Sequence, residues 1–230
     1  MGAEHNPDGW GSGWLQEERF KVKKGAERIP AGRVGRALVQ GVRSDTFIGH
    51  IRFKVQGERT LANTQPFIGD DRRSVFAGTM QSCLGRRGLR ARVRPRLKGE
   101  TGPEVLYQLL LTAYENQGLQ GIRDVVREVF ARRALSDNAS ASFVLCTGGQ
   151  VLIFRHQKPM YFCSRRKPFD ANRVYLRGSQ HQRFELTLAG AKHEMDLATI
   201  VATEPLTGEQ WRKVENRTLF AVSPTGLQQI

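Results

Sequence analysis

At 230 residues, with 39% hydrophobic and 25% charged side chains, the chain has the composition of a folded globular protein and is long enough to bury a substantial core. No stretch approaches the ~20 apolar residues of a membrane-spanning helix, so a cytoplasmic protein with no membrane partner is expected. The charge is the unusual property: 36 Lys and Arg against 22 Asp and Glu leave +14, which favours nucleic acid, anionic ligands or acidic partners.

In chain order, residues 9–15 (GWGSGWL) alternate, with Trp10, Ser12 and Trp14 on one side and glycines opposite. That pattern predicts a strand whose glycine face lets another backbone or a ligand come close. Further strands are expected at 20–23, 46–54 and 74–79. The period then changes. Pro103 opens a helix to residue 116 with Leu106, Leu109, Leu110 and Ala113 at helical spacing, and Gly118 is a stop. A second helix, 119–134, carries Ile122, Val125, Val126, Val129 and Phe130 on one stripe. Strands return at 142–146 and 151–155 around a tight turn at 147–150, then at 160–164, 173–177, 184–188, 199–203 and 219–222. Strands, then a helical pair, then more strands argue one α+β domain over 1–230 with largely antiparallel sheets.

Four segments carry a resemblance. His5-Asn6-Pro7-Asp8-Gly9-Trp10-Gly11 is similar to the H-x-DGWG segment of class II glutamine amidotransferases of the small, stand-alone bacterial type. His50-Ile51-Arg52 resembles that family's A-H-I-R, Asn63-Thr64-Gln65-Pro66-Phe67 its N-T-H-P-F, and Ala202-Thr203-Glu204-Pro205-Leu206-Thr207 with Trp211 its ATxPLT…W. The resemblance implies an N-terminal-nucleophile (Ntn) hydrolase-like four-layer αββα sandwich. It also implies a chemistry in which an N-terminal cysteine thiolate attacks the glutamine amide with its own α-amino group as base. An Asn-Gly pair would donate to the oxyanion, an Arg would clasp the substrate carboxylate and an Asp would hold its ammonium.

Against that pattern the chemical positions are changed. Met1-Gly2-Ala3-Glu4 holds no cysteine, and Cys83, Cys146 and Cys163 lie far from the N-terminus. The family's (Y/F)-A-H-N-G aligns with Phe76-Ala77-Gly78-Thr79-Met80, which puts Thr79 and Met80 at the oxyanion positions. Its G-E-T-D-S-E aligns with Gly99-Glu100-Thr101-Gly102-Pro103-Glu104, which puts Gly102 at the ammonium clamp. Arg52 alone remains as a candidate ligand-binding residue for a carboxylate or phosphate.

The segment preceding DGWG in the family supplies a sheet strand. Its absence would leave the first strand of the fold missing, with Trp10 and Trp14 or a strand edge uncovered. A protein partner or a second copy is expected to dock at that vacated position.

One run stands apart. Arg86, Arg87, Arg90, Arg92, Arg94, Arg96 and Lys98 fall between residues 83 and 99 without an acid, and the alternation from Arg90 to Arg96 would line one face of an extended strand. This basic patch is a candidate surface for a polyanion. The five histidines, His5, His50, His156, His181 and His193, show no ligand spacing, and the three cysteines fit neither a disulfide framework nor a zinc site. No metal and no cofactor is therefore expected. The leading expectation is a catalytically inactive amidotransferase-like domain, a pseudoenzyme acting by protein-partner or small-anion binding. The alternatives are an active glutamine amidotransferase or glutamine hydrolase whose N-terminal cysteine lies outside this chain, and a basic nucleic-acid-binding domain on the same scaffold.

Overall fold

The computed structural model describes residues 7–29, 42–81, 87–131, 139–166, 173–177, 183–187, 197–223 and 226–230. Its centre is a six-stranded antiparallel sheet, β14-β13-β7-β6-β5-β4, built from β4 (Phe67–Ile68), β5 (Val75–Gln81), β6 (Ser140–Thr147), β7 (Gln150–His156), β13 (Leu219–Ser223) and β14 (Gly226–Gln229). β6 and β7 form the expected hairpin, in register from Ala141↔His156 to Thr147↔Gln150.

Alternation along these strands divides the core in two. Phe76, Phe143, Leu145, Leu152, Phe154 and Leu219 face the helices, where Phe76, Tyr107, Phe143 and Phe154 form a run of ring contacts with centroids 5.4–5.6 Å apart. Val75, Ala77, Cys146 and Ile153 face the opposite way, into cores shared with two three-stranded sheets.

One of these sheets is β2-β1-β3, from β1 (Trp10–Gln16), β2 (Arg19–Gly25) and β3 (Phe47–Ile51). The other is β11-β8-β12, from β8 (Tyr161–Arg166), β11 (Leu197–Ala202) and β12 (Arg212–Lys213). A separate pair joins β9 (Arg173–Arg177) to β10 (Arg183–Thr187). The helical layer is α1 (Arg87–Val93), a 3₁₀ turn (Arg94–Arg96) and α2 (Gly102–Phe130). Helices on sheet on sheet are three layers of the αββα sandwich, and the fold is the mixed α+β, antiparallel one that the pattern implied.

Gly118 divides α2 as its position suggested. With φ 58° and ψ −142° it adopts a conformation that only glycine reaches without strain, and the chain doubles back so that Gly121 lies directly against Ala113. The two arms send Leu106, Leu109 and Leu110, then Ile122, Val125 and Val129, into one core.

Two expectations are corrected here. The basic run is not extended: Leu89 and Val93, four residues apart and both buried, roll it into α1 against α2, and Leu97 packs on the same core one turn later. Nor are Trp10 and Trp14 left uncovered: β1 pairs with β2 on one side and β3 on the other, Trp10 is buried, and Trp14 is half-buried. The strand edge with no neighbour among the described residues is on β5, beyond Phe76.

Candidate functional site

The site is assembled where the glycine face of β1 meets β5. Gly11 and Gly13 point inward, and the space their missing side chains leave is filled by Gln65 and Pro66, so that a Cβ on Gly11 would overlap the Gln65 carbonyl. The backbone expected to approach that face is thus the Asn63–Phe67 segment itself.

Held there, the Gln65 carboxamide works as a one-residue strand. Its Oε1 accepts from the Gly78 N–H at 2.6 Å and its Nε2 donates to the Gly78 C=O at 2.9 Å, both buried. This matters because β4 pairs only with Val75 and Phe76, and among the described residues the rest of that edge of β5 has no strand beside it. Thr79 and Met80 follow immediately. The Thr79 side chain lies on the inter-sheet side with Val75 and Ala77, opposite Ser142 in register, while Met80 packs against the helical core. These two positions, where the resemblance led one to expect an Asn-Gly pair, thus present a hydroxyl and a thioether to opposite faces of β5.

Arg52 lies at the end of β3, buried, and tied by the exchange of backbone bonds between Asp8, Gly9 and Arg52 that joins the DGWG and HIR segments. Its guanidinium donates to the carbonyls of Glu58 (3.0 Å), Gln56 (3.1 Å), Gly57 (3.1 Å) and Asp8 (3.4 Å). In this conformation it holds its own loop; an anionic ligand would have to displace those carbonyls. Asp8 is equally committed, accepting from the Lys54 N–H at 2.7 Å and pairing with Arg59.

From that loop a continuous web runs to the third changed position. Asn63 donates to Glu58 O and accepts from the Glu100 N–H at 2.7 Å. Glu104, 2% exposed, accepts from the N–H groups of Lys98 (2.6 Å) and Gly99 (2.9 Å). Gly102 opens α2, and Thr101 ahead of it gives the helix no side-chain cap; its hydroxyl is buried without a partner. The motif letters Asn63, Gln65 and Glu104, legible in the sequence only as parts of a resemblance, are thereby seen to be the struts of the frame.

Lys24 escaped notice altogether, because nothing distinguishes it from its neighbours in the run Lys21 to Lys24. Its ammonium donates to Thr64 O at 2.7 Å and stands 5.8 Å over the Phe67 ring. Burial lowers its pKa to about 8, against a smaller raising effect of Glu104. His50, on the inner face of β3, is pushed down to about 4 by burial first and the Arg52 charge second, and its Nδ1 has no partner.

No described cysteine supplies a thiolate: burial raises Cys146 to about 12 and also raises Cys163, and Cys83 lies outside the described residues. Among the described residues no group of His, Cys, Asp or Glu could hold a metal ion.

The basic run is largely neutralised by its surroundings. Arg92 pairs with Glu128 (2.8 Å), Arg96 with Glu115 (2.7 Å) and Lys98 with Asp70 (2.7 Å), while Arg90 donates to the carbonyls of Gly99 and Glu100. Arg94 is exposed; Arg86 and the Arg87 side chain lie outside the described residues.

A glycine-faced strand, a β5 braced by Gln65 and a buried Arg-Asn-Glu frame make up the scaffold, and comparison identifies its family. The chain belongs to the class II glutamine amidotransferases, whose family matches residues 1–228. An uncharacterized protein of Methanocaldococcus jannaschii is 25% identical over 227 residues, 95% of this chain but 61% of that relative, so the chain spans less than two thirds of its length.

Solved structures agree on the fold. A predicted glutamine amidotransferase from Pseudomonas aeruginosa superposes with a TM-score of 0.64 at 19% identity, covering 96% of this chain and 86% of that one. A class-II domain protein from Silicibacter pomeroyi gives 0.60 at 17% identity, with coverages of 96% and 90%. Glutamine phosphoribosylpyrophosphate amidotransferase from B. subtilis gives 0.62 at 13% identity, with coverages of 99% and 44%. Among the described residues no helix is long and apolar enough to cross a membrane.

Proposed function

We propose that this chain is a class II amidotransferase-type domain that does not hydrolyse glutamine and acts by binding. The observation that carries the reading is the state of β5. Gly78 has both its backbone groups taken by Gln65, and the next two positions hold a hydroxyl on the inter-sheet side and a thioether in the helical core. A tetrahedral oxyanion formed there would lack the carboxamide donor, because Thr79 carries none, and loss of one such donor costs about 10²–10³-fold in rate. Gly102 removes the carboxylate that would hold the substrate ammonium, and Arg52 is engaged by its own loop.

Partner binding follows from the same strand. By alternation from the hydrogen-bonded Gly69–Ser74 and Gly78–Gln65 contacts, Met80 presents its N–H and C=O to the open side of β5, where an extended segment of a partner protein adds as a strand.

The test is release of glutamate from glutamine by the purified protein, read against a buffer blank over hours. No glutamate above the blank is expected, and turnover at the rates of ordinary amidotransferases would overturn the reading.

A further inference from the structure

The paired basic run leaves the +14 charge without an address. Three cations without a side-chain partner among the described residues share one strand, β2. Its burial alternates, with Arg19, Lys21 and Lys23 exposed and Phe20 buried between them. The three therefore project from the outer face of the β2-β1-β3 sheet, about 7 Å apart along the strand. None of their side chains makes an ion pair or hydrogen bond among the described residues.

What lies beside them is aromatic. In the antiparallel register Trp14 stands directly between Lys21 and Phe47, and Ser12 between Lys23 and Gly49. Phe47 is 46% exposed, Trp14 is half-buried, and a Cβ on Gly49 would meet nothing within 4 Å. At the far end of the same face Trp10 is covered, its indole N–H donating to Glu27 at 3.2 Å, so an acid closes the platform there.

We infer that this outer sheet face, with Phe47 and Trp14 flanked by Arg19, Lys21 and Lys23, binds single-stranded nucleic acid. A flat sheet carrying rings that accept stacked bases, with a row of cations to follow the phosphates, is the arrangement single strands require. The platform accommodates about two or three bases.

Two competing readings explain less. Lysines on an edge strand also discourage strand addition, but that role needs no exposed aromatic neighbour and no open floor at Gly49. A membrane surface needs several apolar tips that can be inserted, and here Trp14 is half-buried in the sheet, leaving Phe47 flanked by cations. The inference is independent of the reading of the glutamine site, and glutaminase activity would not touch it.

The probe is a fluorescein-labelled oligodeoxythymidine of about twelve residues, followed by anisotropy across a salt series. Wild-type protein should bind, with log affinity falling against log salt at a slope of about −2, as for three phosphates on a single strand. Lys21→Glu with Lys23→Glu should weaken binding at least ~10-fold and flatten the slope. Phe47→Ala should weaken it about 5- to 100-fold and leave the slope unchanged. Arg90→Ala with Arg94→Ala should change neither. All these side chains are exposed, and an unchanged far-ultraviolet dichroism spectrum confirms that each variant is folded.

No binding at low salt would overturn the inference, as would loss confined to the Arg90/Arg94 variant. So would indifference to Phe47, equal affinity for duplex DNA, or preference for phosphatidylserine vesicles.

Discussion

The two faces of the β2-β1-β3 sheet are built from alternate residues of the same three strands and answer to opposite demands. Inside, Gly11, Gly13, Ile48 and His50 meet Gln65, Pro66 and Val75 so closely that no side chain fits at Gly11. Outside, Phe47, Lys21 and Lys23 are exposed, and a Cβ on Gly49 would meet nothing within 4 Å. The inner face carries the family's frame and is fixed by packing. The outer face is free to take on a function that the frame does not specify. Gln65 and Gly78 hold two layers together whatever chemistry takes place beside them.

The comparison breaks first at Gly11. A methyl group there would run into the Gln65 carbonyl and the Pro66 ring, neither of which can retreat without separating β1 from β5. Gly11→Ala should cost about 3 kcal/mol or more, read as a lowered midpoint in urea with unchanged slope. A variant of wild-type stability would mean that the two layers are not pressed together as described.

Next comes Gln65. Truncation to alanine leaves the Gly78 N–H and C=O buried and unpaired, and each such group costs about 1–3 kcal/mol. Gln65→Ala should therefore lose at least about 2 kcal/mol, and the Gly78 amide should exchange with solvent deuterium far faster than its neighbours on β5. Slow exchange at Gly78 in the variant would refute the bracing role.

His50 sharpens the same face through pH. Its folded pKa, about 4, lies below the ordinary 6.5, so the unfolded chain takes up a proton that the folded one refuses. The stability it contributes is full above pH 6.5 and drains as pH falls toward 4. By linkage the loss reaches about 2 kcal/mol at pH 5. A His50→Gln variant should lose that slope between pH 7 and 5 while keeping whatever the carboxylates contribute below it.

How much of this was legible follows from which physical rule dominated locally. The alternation of glycine with Trp10 and Trp14 announced a close backbone approach, and the structure supplies one, because a missing Cβ has few other uses in a strand. Gly118 announced a break, and its dihedral angles require glycine. The basic run misled: its arginines alternate, yet Leu89, Val93 and Leu97 recur every four residues, and burial of that apolar stripe outweighs the spacing of solvated charges. Arg52 was expected to meet an anionic ligand; that the carbonyls of 56–58 engage it could not be read, since loop carbonyls leave no mark in side-chain identity. Lys24 and the outer platform were invisible because Lys24 meets Thr64 from another segment and the platform sets Trp14 against Phe47 on a separate strand.

The smallest expected effect is the most discriminating. Phe47→Ala and Lys21→Ala remove side chains that touch little, so each should change stability by less than about 0.5 kcal/mol. Measured beside Gly11→Ala by the same urea titration, they set the contrast between faces at several-fold. If Phe47→Ala instead destabilised the fold as much as Gln65→Ala, the outer face would be a packing surface like the inner one. The room it offers to a ligand would then vanish with the contrast.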